Sequence, residues 1–384
     1  MLIPLLLMAA DAQPVPRMFA RLPNCESATA PITEPCVLPV VIDPATAKAR
    51  LGEKGDVWWI DGDRLTMIAR PTRERWVMLC CSIQTGLDPI AHSALATITV
   101  RVPKLREAIL DIRSFPADDD TPHVVRGPDA VPAPAQQTPP PDRLKRVAIR
   151  AHWLSTERGL TVYMPPPGTE PHPLPVFYLA DDLAAKFAPI LEAAIQAGRS
   201  PAAILVGIDA AEPSTKGCVN PACDQRGAEY KLDFSGGDAS PASPFGKHLQ
   251  FLVDQVIPYV EAHYPASKRR EDRIIGGSSN GGDWALTVAA LRPDLFGNVM
   301  ALSSSGRLTT TLATALAQTR LYGGAGLYEP TYRRNTLDAV AAAQAAGAET
   351  RVQTIASGHS QAAWDVMFAD AAPWLLIRTP EPPR

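Results

Sequence analysis

Apolar residues along this chain follow two rhythms, and the change between them divides it. Between residues 55 and 115 they come in short runs, 57–60, 65–69, 76–81, 96–102 and 108–112, with Gly, Asp and Pro between them. Runs of that length and spacing predict the strands of a small β-sandwich. Further on, 147–153 and 160–164 read as an antiparallel pair, and 176–180 and 203–208 are continuous apolar runs separated by a helical stretch. Continuous runs fit strands covered on both faces. The alternation goes on through a helix over 249–264, a strand over 273–277, a helix over 281–291, strands over 299–303 and 320–323, a helix over 332–346, a strand over 350–355 and a closing helix over 361–377. Strands and helices in alternation predict a doubly wound, mostly parallel sheet of the α/β class.

The segments between these patterns set the expected organisation. Residues 13–50 are rich in Pro, Ala and Thr without a period and read as an irregular lead-in. Residues 116–143 hold three successive aspartates from Asp118 and then Pro132, Pro134 and Pro139 to Pro141, a composition that favours an extended linker. The expected domains are therefore an accessory β-sandwich over 51–115 and an α/β catalytic domain over 144–380. Trp58 and Trp59 of the sandwich are expected to pack rather than to bind a sugar.

One stretch carries the candidate chemistry. The apolar run entering Gly276 and Gly277 is followed by Ser278, Ser279, Asn280, Gly281 and Gly282, and then by an apolar helical pattern. A strand, a sharp turn and a helix with small residues two positions either side of a serine describe a nucleophile elbow centred on Ser279. A serine hydroxyl needs an imidazole to take its proton, and His359 follows the last strand of the pattern. The imidazole needs a carboxylate. Glu329, in the loop after the strand over 320–323, precedes His359 and completes the order serine, acid, histidine of α/β-hydrolases. Asp338 is the second candidate, set inside a helical run where a carboxylate is solvated. Backbone amides of Asn280 and of Asp182, after the strand over 176–180, are the expected oxyanion donors.

Composition narrows the setting. The 37 basic and 40 acidic side chains balance to a net charge of -3 without a basic block, which removes nucleic acid and anionic membranes as expected partners. No run is long and apolar enough to span a bilayer. The first twelve residues have an apolar core and an Ala-Asp-Ala site before Gln13, the shape of a signal peptide without its usual leading basic residues. A periplasmic or secreted location is expected. In an oxidising compartment Cys25 with Cys36, and Cys218 with Cys223, could each close a loop, while Cys80 and Cys81 read as buried thiols. No metal-ligand spacing accompanies them, so neither metal nor diffusible cofactor is expected.

The catalytic half resembles the esterase family of α/β-hydrolases that includes esterase D and the enterochelin esterases. The residues carrying the likeness are 178–182, Arg226 with Glu229 and Tyr230, 277–282, Gly326 with Glu329, and Gly358, His359 and Ser360 with Trp364. The likeness spans about 145–378, and the β-rich segment before it resembles the immunoglobulin-like N-terminal domain of enterochelin-esterase-like proteins. It implies hydrolysis of a small-molecule carboxylic ester through an acyl-enzyme, and by position it supports Ser279, Glu329 and His359. Arg226 and Trp284 are the candidate substrate contacts, although an ion pair with an acidic residue is the favoured use of Arg226. Where siderophore esterases tend to offer bulky aromatics, this chain has Gly306, Arg307, Leu308 and a run of threonines. That difference weakens the case for an aromatic catecholate trilactone, and siderophore esters, acylated carbohydrates and small generic esters are all open as substrates. Acyl transfer on the same fold, and a non-catalytic binding protein, are the alternatives. Nothing in the sequence sets an oligomeric state.

Overall fold

The computed structural model describes residues 22–70, 76–79, 85–115, 123–154, 156–169, 173–211 and 224–377. The expected signal peptide and Cys80, Cys81, Cys218 and Cys223 lie outside the described residues. Contacts gather the chain into two units, Met1–Pro103 with Arg113–Thr121, and Lys104–Ile112 with Pro122–Arg384.

In the larger unit eight strands form one mixed sheet. They are β1 (Leu144–Ile149), β2 (Arg158–Tyr163), β3 (Val176–Ala180), β4 (Ile204–Ile208), β5 (Arg273–Ser278), β6 (Asn298–Leu302), β7 (Arg320–Gly326) and β8 (Glu349–Ile355). Their order is β1-β2-β4-β3-β5-β6-β7-β8. β2 runs antiparallel to both β1 and β4, and every other neighbouring pair is parallel. The central runs are apolar throughout because helices cover both faces. Val176, Tyr178 and Ala180 of β3 enter one core, and Phe177 and Leu179 enter the other.

Helices α1 (Leu183–Gln196) and α8 (Gln361–Leu376) cover the second face, where Phe187 stacks on Phe368 at 4.1 Å. The opposite face takes α3 (Pro244–Phe251), α4 (Ile257–His263), α5 (Asn280–Leu291) and α7 (Pro330–Ala346), while the shorter α2 (Gln225–Tyr230) and α6 (Thr310–Ala315) lie in the connections. The helix expected over 249–264 begins earlier. Ser243 caps it by accepting from Gly246 N at 3.0 Å, and Pro244 occupies the first turn, where its missing N–H costs nothing. A π turn at Leu252–Val256 then leads into Pro258, which has no N–H to donate.

Part of the Pro-rich stretch is regular. His123–Arg126 forms a strand antiparallel to the segment around Ile109, Gln137 N donates to Pro189 O of α1, and Arg143 pairs with Glu192 at 2.6 Å. In the smaller unit Asp56–Asp61, Arg64–Ala69 and Ala96–Arg101 form successive antiparallel neighbours, with Cys36–Val37 on the far edge of the last. A disulfide joins Cys25 to Cys36. The lead-in also contains a helix, Pro44–Leu51, which lack of periodicity had hidden. Asp43 caps it by accepting from Ala45 N and Thr46 N, and Ala47 and Leu51 bury against Ile68. Trp59 lies beneath Arg50 at 4.4 Å, and Trp58 remains 39% exposed.

Candidate active site

β3 has β4 on one side and β5 on the other, so the connections leaving β3 and β5 diverge at the carboxyl edge of the sheet. A crevice opens at such a switch point. Ser279 stands there between β5 and α5, with φ 59° and ψ −124°. A non-glycine residue holds that conformation only when its surroundings impose it. They do: Ser279 N donates to Leu302 O at 2.9 Å, and its carbonyl accepts from the amides of Gly282, Asp283 and Ser305.

The flanking glycines are steric necessities. A Cβ on Gly277 would overlap the Gly281 carbonyl, one on Gly281 would lie 2.6 Å from Ala180 Cβ, and one on Gly282 would lie 2.8 Å from Leu302 O. Ser278 ends the strand and is buried, whereas Ser279 is partly exposed.

Leu327 and Tyr328 separate the end of β7 from Glu329, which stands at the N-cap of α7 and is 5% exposed. Its Oε2 accepts from His359 Nδ1 at 2.7 Å, and its Oε1 accepts from Ser303 Oγ and Gly326 N at 2.6 Å each. Against a carboxylate, Nδ1 is the nitrogen that carries the proton, which leaves Nε2 of a neutral ring as an acceptor. His359 lies between β8 and α8, with the Tyr332 ring 4.2 Å and the Trp364 ring 5.0 Å away. Asp338 is exposed on α7. Thus His359 is joined to Glu329 but not to Ser279, whose Oγ makes no hydrogen bond to a described residue.

The amides of Asn280 and Asp182 donate to no other described residue; Asn280 opens α5 and Asp182 is the N-cap of α1. The acidic side chains beside them turn away. Asp181 is held by Arg226 through two bonds of 2.9 and 2.7 Å, and Asp182 pairs with Lys186 at 3.0 Å. Arg226 is therefore tied to Asp181, with its guanidinium 5.0 Å from the Tyr230 ring. Trp284 corrects the expectation of a substrate contact. It has no exposed surface and packs on Tyr230 and His248, because α5 is buried almost all round.

Behind the elbow, Asp283 faces Lys231 at 3.5 Å. Burial pushes the Asp283 carboxyl up to about 6, and Lys231 only partly offsets it. Ser303, Tyr332 and Lys231 carried no signal in the sequence; Ser303 looked like the last residue of a strand.

A mixed eight-stranded sheet with an elbow at its carboxyl edge is an α/β-hydrolase. Residues 151–375 match the family described as "Putative esterase", and the chain belongs to that family. It is an esterase. Comparison with curated proteins returns no match. Among solved structures, the enterobactin esterase from Shigella flexneri in the presence of enterobactin is 16% identical, covering 87% of this chain and 98% of that one with a TM-score of 0.63. The ferric enterobactin esterase from Salmonella typhimurium is 14% identical, covering 84% and 96% with a TM-score of 0.61. At such identities the likeness is one of fold.

Proposed function

We propose that the chain hydrolyses a carboxylic ester through an acyl-enzyme on Ser279, with His359 as base and Glu329 as its orienting acid. The observation that carries this reading is the Glu329–His359 bond of 2.7 Å on the same sheet edge as the Ser279 elbow. Ser279 Oγ attacks the ester carbonyl and gives its proton to His359 Nε2, and the carbonyl oxygen takes up the negative charge. The amides of Asn280 and Asp182 stabilise that oxyanion, the first of them with the help of the α5 dipole. Collapse expels the alcohol, which takes the proton from His359, and water then releases the acid by the same steps in reverse. For this transfer Ser279 Oγ and His359 Nε2 must come within hydrogen-bond reach as the ester is attacked.

A siderophore ester or an acylated carbohydrate is the proposed substrate. The fold likeness to enterobactin esterases supports the first, and the replacement of bulky aromatics by Gly306, Arg307 and Leu308 leaves room for the second. The Cys25–Cys36 disulfide supports a periplasmic or secreted location, where such bonds persist. The N-terminal unit is read as an accessory β-sandwich. A fluorophosphonate probe tests the mechanism: it should label the wild type and leave Ser279→Ala unlabelled, and equal labelling of the two would overturn the assignment. A panel of p-nitrophenyl, feruloyl and catecholate esters then ranks the substrates.

A further inference from the structure

Ser303 stands where β6 ends, fully buried, with a φ of 48°. Glycine adopts that left-handed backbone freely and serine does not. A side chain kept at such a position needs a reason, and its hydroxyl supplies one. Ser303 Oγ lies 2.6 Å from Glu329 Oε1 and 2.9 Å from Trp364 Nε1. An indole N–H can only donate and a carboxylate only accepts, so the direction of both bonds is set. Trp364 donates to Ser303, and Ser303 donates to Glu329. With Gly326 N on the same oxygen, Oε1 is occupied twice, and Oε2 is left for His359 Nδ1. Trp364 meets the pair a second time, its ring at 85° to the His359 imidazole.

We propose that Ser303 and Trp364 are positioning residues, which hold the Glu329 carboxylate in the one rotation that presents Oε2 to His359. This rests on the triad reading above. Neither side chain meets the reacting carbonyl; they act through Glu329 and the imidazole.

The test compares Ser303→Ala and Ser303→Gly, each alone and in a Glu329→Ala background, by p-nitrophenyl ester kinetics, melting temperature and the final extent of fluorophosphonate labelling. Both single variants should lose kcat by about tenfold with KM within about twofold, a loss confined to the chemical step. Labelling should still reach completion. The glycine variant should melt above the alanine variant, since only glycine relieves the backbone, although their kcat values match. In the Glu329→Ala background, removing the hydroxyl should change kcat by less than about twofold, because the group it acts through is gone. Trp364→Phe, which keeps a ring and loses the N–H, should fall by about threefold and serves if the Ser303 variants do not fold. A kcat that tracks melting temperature, equal losses in both backgrounds, or an unimpaired Trp364→Phe would overturn the proposal. Wild type that resists the probe, or an unimpaired Glu329→Ala, would instead overturn the triad itself.

Discussion

Glu329 and Asp338 sit less than three turns apart along the same stretch, and burial separates their roles. Glu329 is enclosed and holds His359 Nδ1, while Asp338 is exposed on α7. Glu329→Ala should lower kcat/KM by at least about 100-fold, since the imidazole loses its orienting partner. Asp338→Ala should stay within about twofold, as surface substitutions do. Steady-state kinetics on one p-nitrophenyl ester decides both, and a reversed ranking would exchange the two residues. At this scale the serine was legible and the tryptophan was not. Two glycines spaced about Ser279 express a steric demand within five residues. Trp284 lies in a stretch apolar on every side, the pattern of a helix buried all round, which places its ring in the core rather than in a cleft.

The elbow is an element in which strand end, turn and helix start depend on one another. Gly277→Ala places a methyl against the Gly281 carbonyl, so the turn must open or the helix must shift. Overpacking of this kind costs about 1–3 kcal/mol, and the shift displaces Ser279 and the Asn280 amide together. Lower melting temperature and lower kcat should therefore appear in the same variant, and a variant with full activity would show that the close approach is dispensable. Element existence was readable from apolar period, since β3 and β4 appear where the continuous runs lie. Several boundaries moved because caps set them: Ser243 with Pro244 starts α3, and the left-handed Ser303 ends β6 one residue early. The helix Pro44–Leu51 was missed for a related reason, because it buries only Ala47 and Leu51 and leaves almost no periodic trace.

For the molecule as a whole, one buried carboxyl, Asp283, and one half-buried carboxyl, Asp365, impose a pH dependence. Burial raises both Asp283 and Asp365 from 3.8 to about 6, against weaker opposing pulls from Lys231 and from Gln361. In the window between about pH 4 and 6 the folded chain then holds more protons than the unfolded chain. Stability contributed by these groups falls as pH rises through that window and levels off above it. Other carboxyls, Glu192 among them, are shifted down and oppose this trend, so the comparison that isolates Asp283 is wild type against Asp283→Asn. The stability difference should move in favour of the variant by about 2 kcal/mol between pH 4 and 7. A difference that stays flat with pH would mean that burial does not perturb this group.

Sequence alone determined the α/β class, the elbow and the register of its serine. Each of these rests on contacts or periodicities within a few residues, where sterics and apolar spacing act locally. Tertiary structure decided which carboxylate meets His359, that Arg226 is tied to Asp181, that Trp284 belongs to the core, and that Ser303 and Trp364 surround Glu329. Those facts join segments 26 to 61 residues apart, and such partners are set by how the strands are ordered and packed, which no local pattern records.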